Sequence, residues 1–317
     1  MRTAGRCCQP VLALQATIEI YIVRVTVLEV IQRSTEFLAQ KGVESPRLQA
    51  ELLLAHVLKV PRLKLYLNFE RALAPGELDQ IRELVRRRSR REPLQHIIGS
   101  TSFCGLELVV NRHVLVPRPE TELLAEAGWQ FLTDRLAAAP ASEGAAHGLG
   151  ALDFGTGSGC LAIALAVHCP VAQVDAIDIS SEAIEVARQN AVWSDVAGRI
   201  RFFVGDGLGA LPGVVQYDLV VGNPPYIATG EIETLEPEVR DHDPRAALDG
   251  GADGLDFYRR LGAEAGPFLK PGGRLMLELG DGQSACIRDI FEQEKWIVEG
   301  IREDYNQRPR ILIARRG

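Results

Sequence analysis

Apolar and polar positions along the chain follow three successive rhythms. From about Val27 to Arg91 the rhythm is helical. Val27, Val30, Ile31, Phe37 and Leu38 keep an i, i+3, i+4, i+7 stripe, with Ser34 on the same face. Ser45-Pro46 reads as an N-cap followed by proline at the first helical position. It opens a helix whose apolar residues include Leu48, Leu52, Leu53 and Val57. After Pro75-Gly76, the residues Leu78, Ile81, Leu84 and Val85 make a third stripe. Short helices joined by short turns predict a small helical bundle.

The texture changes between Ile97 and Val116. Phe103, Leu106, Leu108 and Val110 alternate with smaller or polar residues until Asn111-Arg112 interrupts them, which predicts a linking β-hairpin. Glu120 to Leu136 returns to helical spacing, and Ala137 to Gly150, rich in Ala, Gly, Ser and Pro, reads as a loop. From Ala151 onward, apolar runs alternate with helical patterns. The runs are Ala151–Phe154, Val174–Ile179, Ile200–Val204, Leu219–Val221, Arg274–Leu279, Ile297–Ile301 and Ile311–Ala314. Leu161–Val167, Glu182–Val192 and Phe257–Phe268 are the helical patterns between them. This alternation predicts an α/β fold with a largely parallel sheet covered by helices on both faces. The last two runs leave no room for a helix between them, so they are expected to pair antiparallel. The division expected is residues 1–25 as an extension or a misassigned start, 26–96 as a helical substrate-recognition domain, 97–116 as the hairpin linker, and 117–317 as the catalytic domain.

Composition adds limits. The 317 residues suit two domains, and 46% hydrophobic with 24% charged residues is ordinary for a globular chain. A net charge of −7 argues against affinity that comes mainly from neutralising phosphates. The six cysteines (Cys7, Cys8, Cys104, Cys160, Cys169 and Cys286) form no C-x-x-C pair, so no metal site is expected and a reduced, cytoplasmic setting is the simplest reading. No apolar run is long enough to span a bilayer. Arg2 and Arg6 ahead of Val11–Ala16 have the outline of a signal peptide, but Gln15, Glu19 and Arg24 break the apolar stretch and no small-x-small site follows.

Candidate chemistry begins where the first strand of the alternating region ends. Leu152-Asp153-Phe154-Gly155-Thr156-Gly157-Ser158-Gly159 runs from that strand into a helix. Glycine lets the chain turn sharply and admits a ligand to the backbone, while the helix N-terminus offers N–H groups. Asp178 closes the next strand, where a carboxylate can accept from both hydroxyls of a ribose. The spacing is G-x-G-x-G and does not match the dinucleotide fingerprint, so nicotinamide or flavin binding and a bare tight turn both stay open on this loop alone. At the end of the third strand, Gly205-Asp206-Gly207 could accept an adenine amine through Asp206 with the Gly207 backbone beside the ring; a simple turn is the other reading.

The strand Tyr217–Gly222 runs directly into Asn223-Pro224-Pro225-Tyr226. In an open α/β sheet, ligands bind beyond the carboxyl ends of the strands, so this tetrapeptide belongs on the same edge as the glycine loop. Its prolines fix φ and remove two N–H donors, leaving a stiff segment rich in acceptors. A planar amide or aromatic amine is a poor nucleophile because its lone pair is delocalised. If the Asn223 oxygen and the Pro224 carbonyl each accept one N–H, the nitrogen is held for an electrophilic methyl, and Tyr226 can stack on the planar group.

The glycine loop with Asp178 resembles the cofactor site of class I S-adenosylmethionine-dependent methyltransferases, which have a Rossmann-like, mostly parallel seven-stranded sheet. Asn223-Pro224-Pro225-Tyr226 resembles the motif of methyltransferases acting on adenine, cytosine or glutamine amides. Four further segments, Glu92–Gly99, Val116–Glu122, Glu238–Arg245 and Leu248–Gly251, resemble the peptide chain release factor N5-glutamine methyltransferases (the PrmC/HemK family), and the match runs from about Val27 to the C-terminus. That resemblance implies S-adenosyl-L-methionine as cofactor, S-adenosyl-L-homocysteine as product, and the glutamine of the Gly-Gly-Gln motif of class 1 release factors as substrate. It implies cofactor binding by Gly155, Thr156, Gly157, Ser158, Gly159, Asp178, Asp206, Gly207 and Asn223. Asn223, Pro224, Pro225 and Tyr226 are implied as catalytic and substrate-binding, with Arg118, Glu120 and Thr121 bordering the pocket. Many relatives carry a bulky side chain where this chain has Gly207. The bland reading of Arg118–Thr121 is a rigid lead into a helix, with Glu120 favoured by the helix dipole.

An adenine-N6 DNA methyltransferase shares the tetrapeptide but needs a basic recognition region. The dense basic run is Arg86-Arg87-Arg88-Ser89-Arg90-Arg91, read either as a solvated face or as a contact for the release factor or associated RNA. A non-catalytic binding module would have lost glycines, Asp178 or the tetrapeptide, and none is lost. A monomer that binds a protein substrate, with no stable nucleic acid or membrane partner, is the expectation.

Overall fold

The computed structural model describes residues 24–138, 148–213 and 215–317, so the expectation for residues 1–25 lies almost wholly outside the described residues. The N-terminal helices are α1 (Val27–Gln40), α2 (Pro46–Leu58), α3 (Pro75–Ser89) and the short α4 (Leu94–Ile98). Thr26 starts α1 with a capping box: its hydroxyl accepts from Glu29 N, and the Glu29 carboxylate accepts from Thr26 N at 3.0 Å. Val27, Ile31, Leu38, Leu53, Leu54 and Ile81 form a core of their own.

Two expectations for these helices fail. Ser45 does not cap α2, because its backbone is left-handed (φ 45°) and its side chain bonds no helix N–H; Pro46 alone starts the helix. Phe37 and Leu48 are each 41% exposed. On α2 the buried face instead includes Glu51, whose carboxylate accepts from Arg47, Arg62 and the Tyr66 hydroxyl at 2.9–3.1 Å. A buried charge so surrounded is stable at a position that spacing assigns to an apolar residue.

A hairpin follows, β1 (Ser100–Phe103) and β2 (Leu106–Val109), turned by Cys104-Gly105, both with positive φ. Two left-handed residues in a two-residue loop match the twist of the paired strands. An extended segment then leads to α5 (Pro119–Ala138). The main sheet contains β3 (Gly150–Phe154), β4 (Gln173–Asp178), β5 (Ile200–Val204), β6 (Tyr217–Gly222), β7 (Leu269–Glu278), β8 (Trp296–Glu303) and β9 (Pro309–Arg316) in the order β5-β4-β3-β6-β7-β9-β8. The first five are parallel; β9 lies antiparallel between β7 and β8, as the short connection requires.

Successive residues feed opposite faces of the sheet. Ala151, Leu219 and Val221 pack with α5 and α6 (Cys160–His168), while Leu152, Val220 and Leu277 pack with α9 (Asp256–Glu264) and α10 (Ser284–Gln293). The helix α7 (Ser181–Trp193) covers the first face beside β4 and β5, and the short α8 (Pro237–Arg240) lies between β6 and α9. The helix expected over Phe257–Phe268 ends at Glu264 and gives way to a 3-10 turn at Gly266–Phe268, where Pro267 lacks the N–H that an α-helix needs. No described helix is long and apolar enough to cross a membrane.

Candidate active site

Strand order reverses between β3 and β6, and the carboxyl ends of these neighbours open the crevice. Phe154 pairs with Gly222, so Gly155 and Asn223 leave the sheet side by side. A Cβ on Gly222 would lie 2.9 Å from the Phe154 carbonyl oxygen, which explains glycine at the point where the two chains part. A cavity of about 550 Å³ begins here and is lined by both loops, by Asp178, and by the segment that follows the hairpin.

The glycine loop is built by backbone geometry. Gly155 and Gly157 have φ of 69° and 53°, and a Cβ on either would meet no protein atom within 4 Å, so their side of the loop is open to a ligand. Gly159 differs: a Cβ there would lie 3.0 Å from the Ala187 Cβ, so its role is the close packing of α6 on α7. Most loop N–H groups are already engaged within the protein. Gly155 N and Thr156 N donate to the Ile177 carbonyl, and Gly157 N donates to Asp178 Oδ2 at 2.8 Å. The expected free N–H groups of the helix start are therefore fewer than the sequence suggests.

Asp178 also accepts from Ser180 N at 2.9 Å through Oδ1, and burial raises its carboxyl against these hydrogen bonds. Each oxygen keeps lone-pair capacity for a hydroxyl. Beside it, Ile179 is an exposed apolar side chain on the cavity wall. Beneath the loop, buried Asp153 accepts from the Thr156 hydroxyl (2.6 Å) and Ala162 N (3.1 Å) through Oδ2. Burial pushes it up to about 7, and its Oδ1 has no hydrogen-bond partner among the described residues. An open glycine cradle, a carboxylate at a strand end and an apolar wall fit a nucleoside-bearing cofactor.

Asp206 and Gly207 both line the cavity, with an arrangement the sequence did not disclose. The Arg260 guanidinium donates to Asp206 Oδ1 (2.5 Å) and to the Asp206 carbonyl (2.9 Å). It occupies the space a side chain at 207 would take: a Cβ on Gly207 would lie 2.1 Å from Arg260 Nη2. The Asp206 side chain, 67% exposed, already has a cation. Phe257, one helical turn before Arg260, adds an apolar face to the cavity.

At the reacting end, Asn223 Nδ2 donates to Thr121 Oγ1 at 3.2 Å, and the Thr121 hydroxyl donates to Glu278 Oε2 at 2.7 Å. With its amide nitrogen committed, Asn223 turns its oxygen elsewhere. Pro225 borders the cavity, whereas Pro224 is buried and its carbonyl has no hydrogen-bond donor among the described residues. The Tyr226 carbonyl is held by Gln283 Nε2 at 2.9 Å, and Ile227 N and O bond Leu248 O and Gly250 N, so the tetrapeptide is braced from behind. The Tyr226 phenol is pushed up to about 12 by burial and nearby Glu278, and stays neutral.

Of the three bordering residues, Arg118 and Thr121 line the cavity and Glu120 does not. Arg118 pairs with buried Asp243 at 2.7 Å. Burial pushes Asp243 up to about 6 despite that guanidinium. Gly159, Pro224 and Tyr226 likewise stand behind the wall. Glu278, Ile179, Phe257 and Arg260 were not singled out from sequence. Glu278 alone left a signal there, a charge inside the apolar run Arg274–Leu279.

Residues 29–99 match the family model described as the PrmC N-terminal domain, and residues 126–236 match the Methyltransferase small domain. The chain is 43% identical over 292 residues to the release factor glutamine methyltransferase of Geobacter sulfurreducens, covering 92% of this chain and 97% of that protein. It is 41% identical to the release factor glutamine methyltransferase of Chlorobaculum tepidum (90% and 96% covered) and 40% identical to that of Caulobacter vibrioides (80% and 84%).

Proposed function

The chain belongs to the release factor glutamine methyltransferases, and on that footing we propose that Asn223 and Pro224 hold the side-chain amide of the Gly-Gly-Gln glutamine of a class 1 release factor. It is an S-adenosylmethionine-dependent methyltransferase, an enzyme that methylates a release factor glutamine. One observation carries the assignment of roles. The Asn223 nitrogen is spent on Thr121, which leaves its oxygen as an acceptor on the cavity wall, with the Pro224 carbonyl, unpartnered among the described residues, next along the chain just behind that wall.

Two N–H groups on one primary amide match two acceptors on one stiff segment. Accepting both fixes the plane of the amide, and positioning of this kind supplies much of the barrier reduction in a group transfer. Tyr226 stands behind, braced by Gln283, and excludes water from the planar group. S-adenosyl-L-methionine, when bound, supplies an electrophilic methyl group, with S-adenosyl-L-homocysteine as the product. Gly155, Thr156, Gly157, Ser158 and Asp178 form its cradle in this reading, with Asp206 and Gly207 at the far wall. The nitrogen becomes far more acidic as it gains a methyl group, so no strong base is needed before transfer, and the proton passes to bulk solvent as the product leaves. We place the reaction in the cytoplasm, where release factors act.

Purified protein incubated with labelled S-adenosylmethionine and either release factor or duplex DNA tests the reading. Mass spectrometry is expected to find one added methyl on the glutamine side chain. Label on DNA, or on a different release factor residue, overturns it.

A further inference from the structure

The Asn223 carboxamide has two ends of nearly equal size, one accepting and one donating, and a half-turn of its terminal torsion exchanges them. Only one orientation presents an acceptor to a substrate N–H. We propose that Glu278, acting through Thr121, sets that orientation and is a positioning residue for methyl transfer. The inference rests on the amide-holding role of Asn223 given above.

The register of the sheet creates the contact. Gly222 on β6 pairs with Leu277 on β7, so Asn223 and Glu278 emerge at adjacent strand ends, 55 positions apart in the chain. Thr121, buried in the first turn of α5, lies between them. Its hydroxyl has a single proton. An ionised Glu278 carboxylate can only accept, so that proton lies on the 2.7 Å bond to Oε2. The Thr121 oxygen then offers a lone pair towards Asn223 at 3.2 Å, and the group answering it must be the Nδ2 amide. The Asn223 oxygen is left facing outward. With Glu278 protonated the chain can reverse: Glu278 donates to Thr121, Thr121 donates onward, and the flipped carboxamide is accommodated.

Every charged group that faces Glu278 has a role in this balance. Burial is the largest influence and pushes its carboxyl up to about 7; the Thr121 hydroxyl, Arg310 on β9 and Arg118 ahead of α5 favour the charge, and Glu120 opposes it. Arg310 is shared with Asp304 at 3.2 Å, so it compensates Glu278 only in part. The phenols of Tyr226 and Tyr258 stay neutral, and Tyr258 donates to the Glu278 backbone carbonyl at 2.8 Å. The sign follows. Above about 7 the carboxylate enforces the productive orientation, and below it that constraint fades.

Three variants and three readouts test the proposal. Thr121→Val keeps the shape and removes the relay; Thr121→Ser keeps the hydroxyl; Glu278→Gln removes the charge. With release factor saturating, Thr121→Val is expected to lower kcat by about 10- to 100-fold, and Thr121→Ser by less than about 3-fold. Calorimetric affinity for S-adenosylhomocysteine should stay within about 2-fold in all three, since none touches the glycine cradle. The wild-type kcat should fall as pH drops through about 7, and Glu278→Gln should lack that limb. The third readout needs no turnover: the side-chain amide signals of Asn223 in ¹⁵N-labelled protein should move across the same pH range in wild type and not in Glu278→Gln. Full turnover by Thr121→Val, a Thr121→Ser as slow as Thr121→Val, or a wild-type amide signal flat with pH overturns the relay. Failure of the wild type to methylate release factor at all is a different outcome, and it defeats the assignment of the site instead. If Glu278→Gln does not fold, the Thr121 pair and the wild-type titration still decide.

Discussion

Asn223 and Asp178 line one cavity from the strands on either side of β3, and single substitutions should separate their duties. Asn223→Ala removes one of two acceptors for the substrate amide and is expected to lower kcat by about 10²- to 10³-fold, in the range seen for a lost transition-state contact. Affinity for S-adenosylhomocysteine should change little; near-normal turnover would refute the amide-holding role. Asp178→Ala should act the other way round, weakening cofactor affinity by about 10- to 100-fold, the scale of a lost hydrogen bond to a charged group. Because Asp178 also accepts from Gly157 N and Ser180 N, its loss should loosen the loop and lower Tm as well. Both residues were legible in the sequence for one reason. Each directly follows or ends a strand, and ligands gather at the carboxyl ends of a parallel sheet. Glu278 obeys the same rule, yet spacing cannot show that β7 lies beside β6 with Leu277 opposite Gly222. Arg260 was hidden for a similar reason, since only folding brings α9 against Gly207.

Elements were legible where burial on both faces wrote a continuous apolar run, as in β3, β4 and β6. They were less so where packing broke the rhythm. The buried Glu51 defeats the stripe of α2, and α10 buries only Ile287 and Phe291, four residues apart, too short a signal to stand out. Contacts between elements left still less trace. Asn190 on α7 accepts from Val109 N (2.7 Å) and donates to Val109 O and Ser158 O (2.9 Å each), tying the hairpin to the cofactor loop from one fully buried side chain. Asn190→Ala strands these partners away from water and should cost about 2–4 kcal/mol in chemical denaturation, counting roughly 1 kcal/mol per bond plus desolvation of the groups left unpaired. Cofactor affinity should fall with it, because Ser158 belongs to the cradle. A variant as stable as wild type would show that apolar packing alone holds the hairpin, through Phe103 and Leu108 in the main core and the cluster of Val110, Val114, Ala183 and Val186.

At the scale of the whole molecule, the basic run Arg86–Arg91 is mainly an internal clasp. Arg86 pairs with Glu83 and Arg87 with Glu92, while Arg88 and Arg91 reach across to Glu238 on α8. The Arg88 side chain is only 4% exposed and also bonds Gln49 and the Glu92 carbonyl, so it is not a solvated charge. Glu238 lies in the segment between the tetrapeptide and α9, and that segment supplies Pro244, Ala246, Ala247 and Asp249 to the cavity wall. The N-terminal helices therefore grip the wall of the active site chiefly through Glu238, with the exposed Glu236 as a second partner of Arg91. Burial works against the charge on Glu238, but hydrogen bonds from Arg91 and Arg88 outweigh it and hold the carboxyl below its ordinary value. A lowered value stabilises the fold above the unfolded-state pKa, and the benefit is lost as pH falls through the folded one. The clasp should thus be intact at neutral pH and open only in acid. Glu238→Ala should remove that acid-sensitive component and, by leaving Arg88 buried beside no counter-charge, destabilise the protein by about 3–5 kcal/mol. A double-mutant cycle between Arg91→Ala and Glu238→Ala, read in urea at neutral pH, should give a coupling of about 0.5–3 kcal/mol, as for charges in one network. Strict additivity would mean that the two charges stabilise their own elements separately, and that the grip on the wall comes from apolar contact instead.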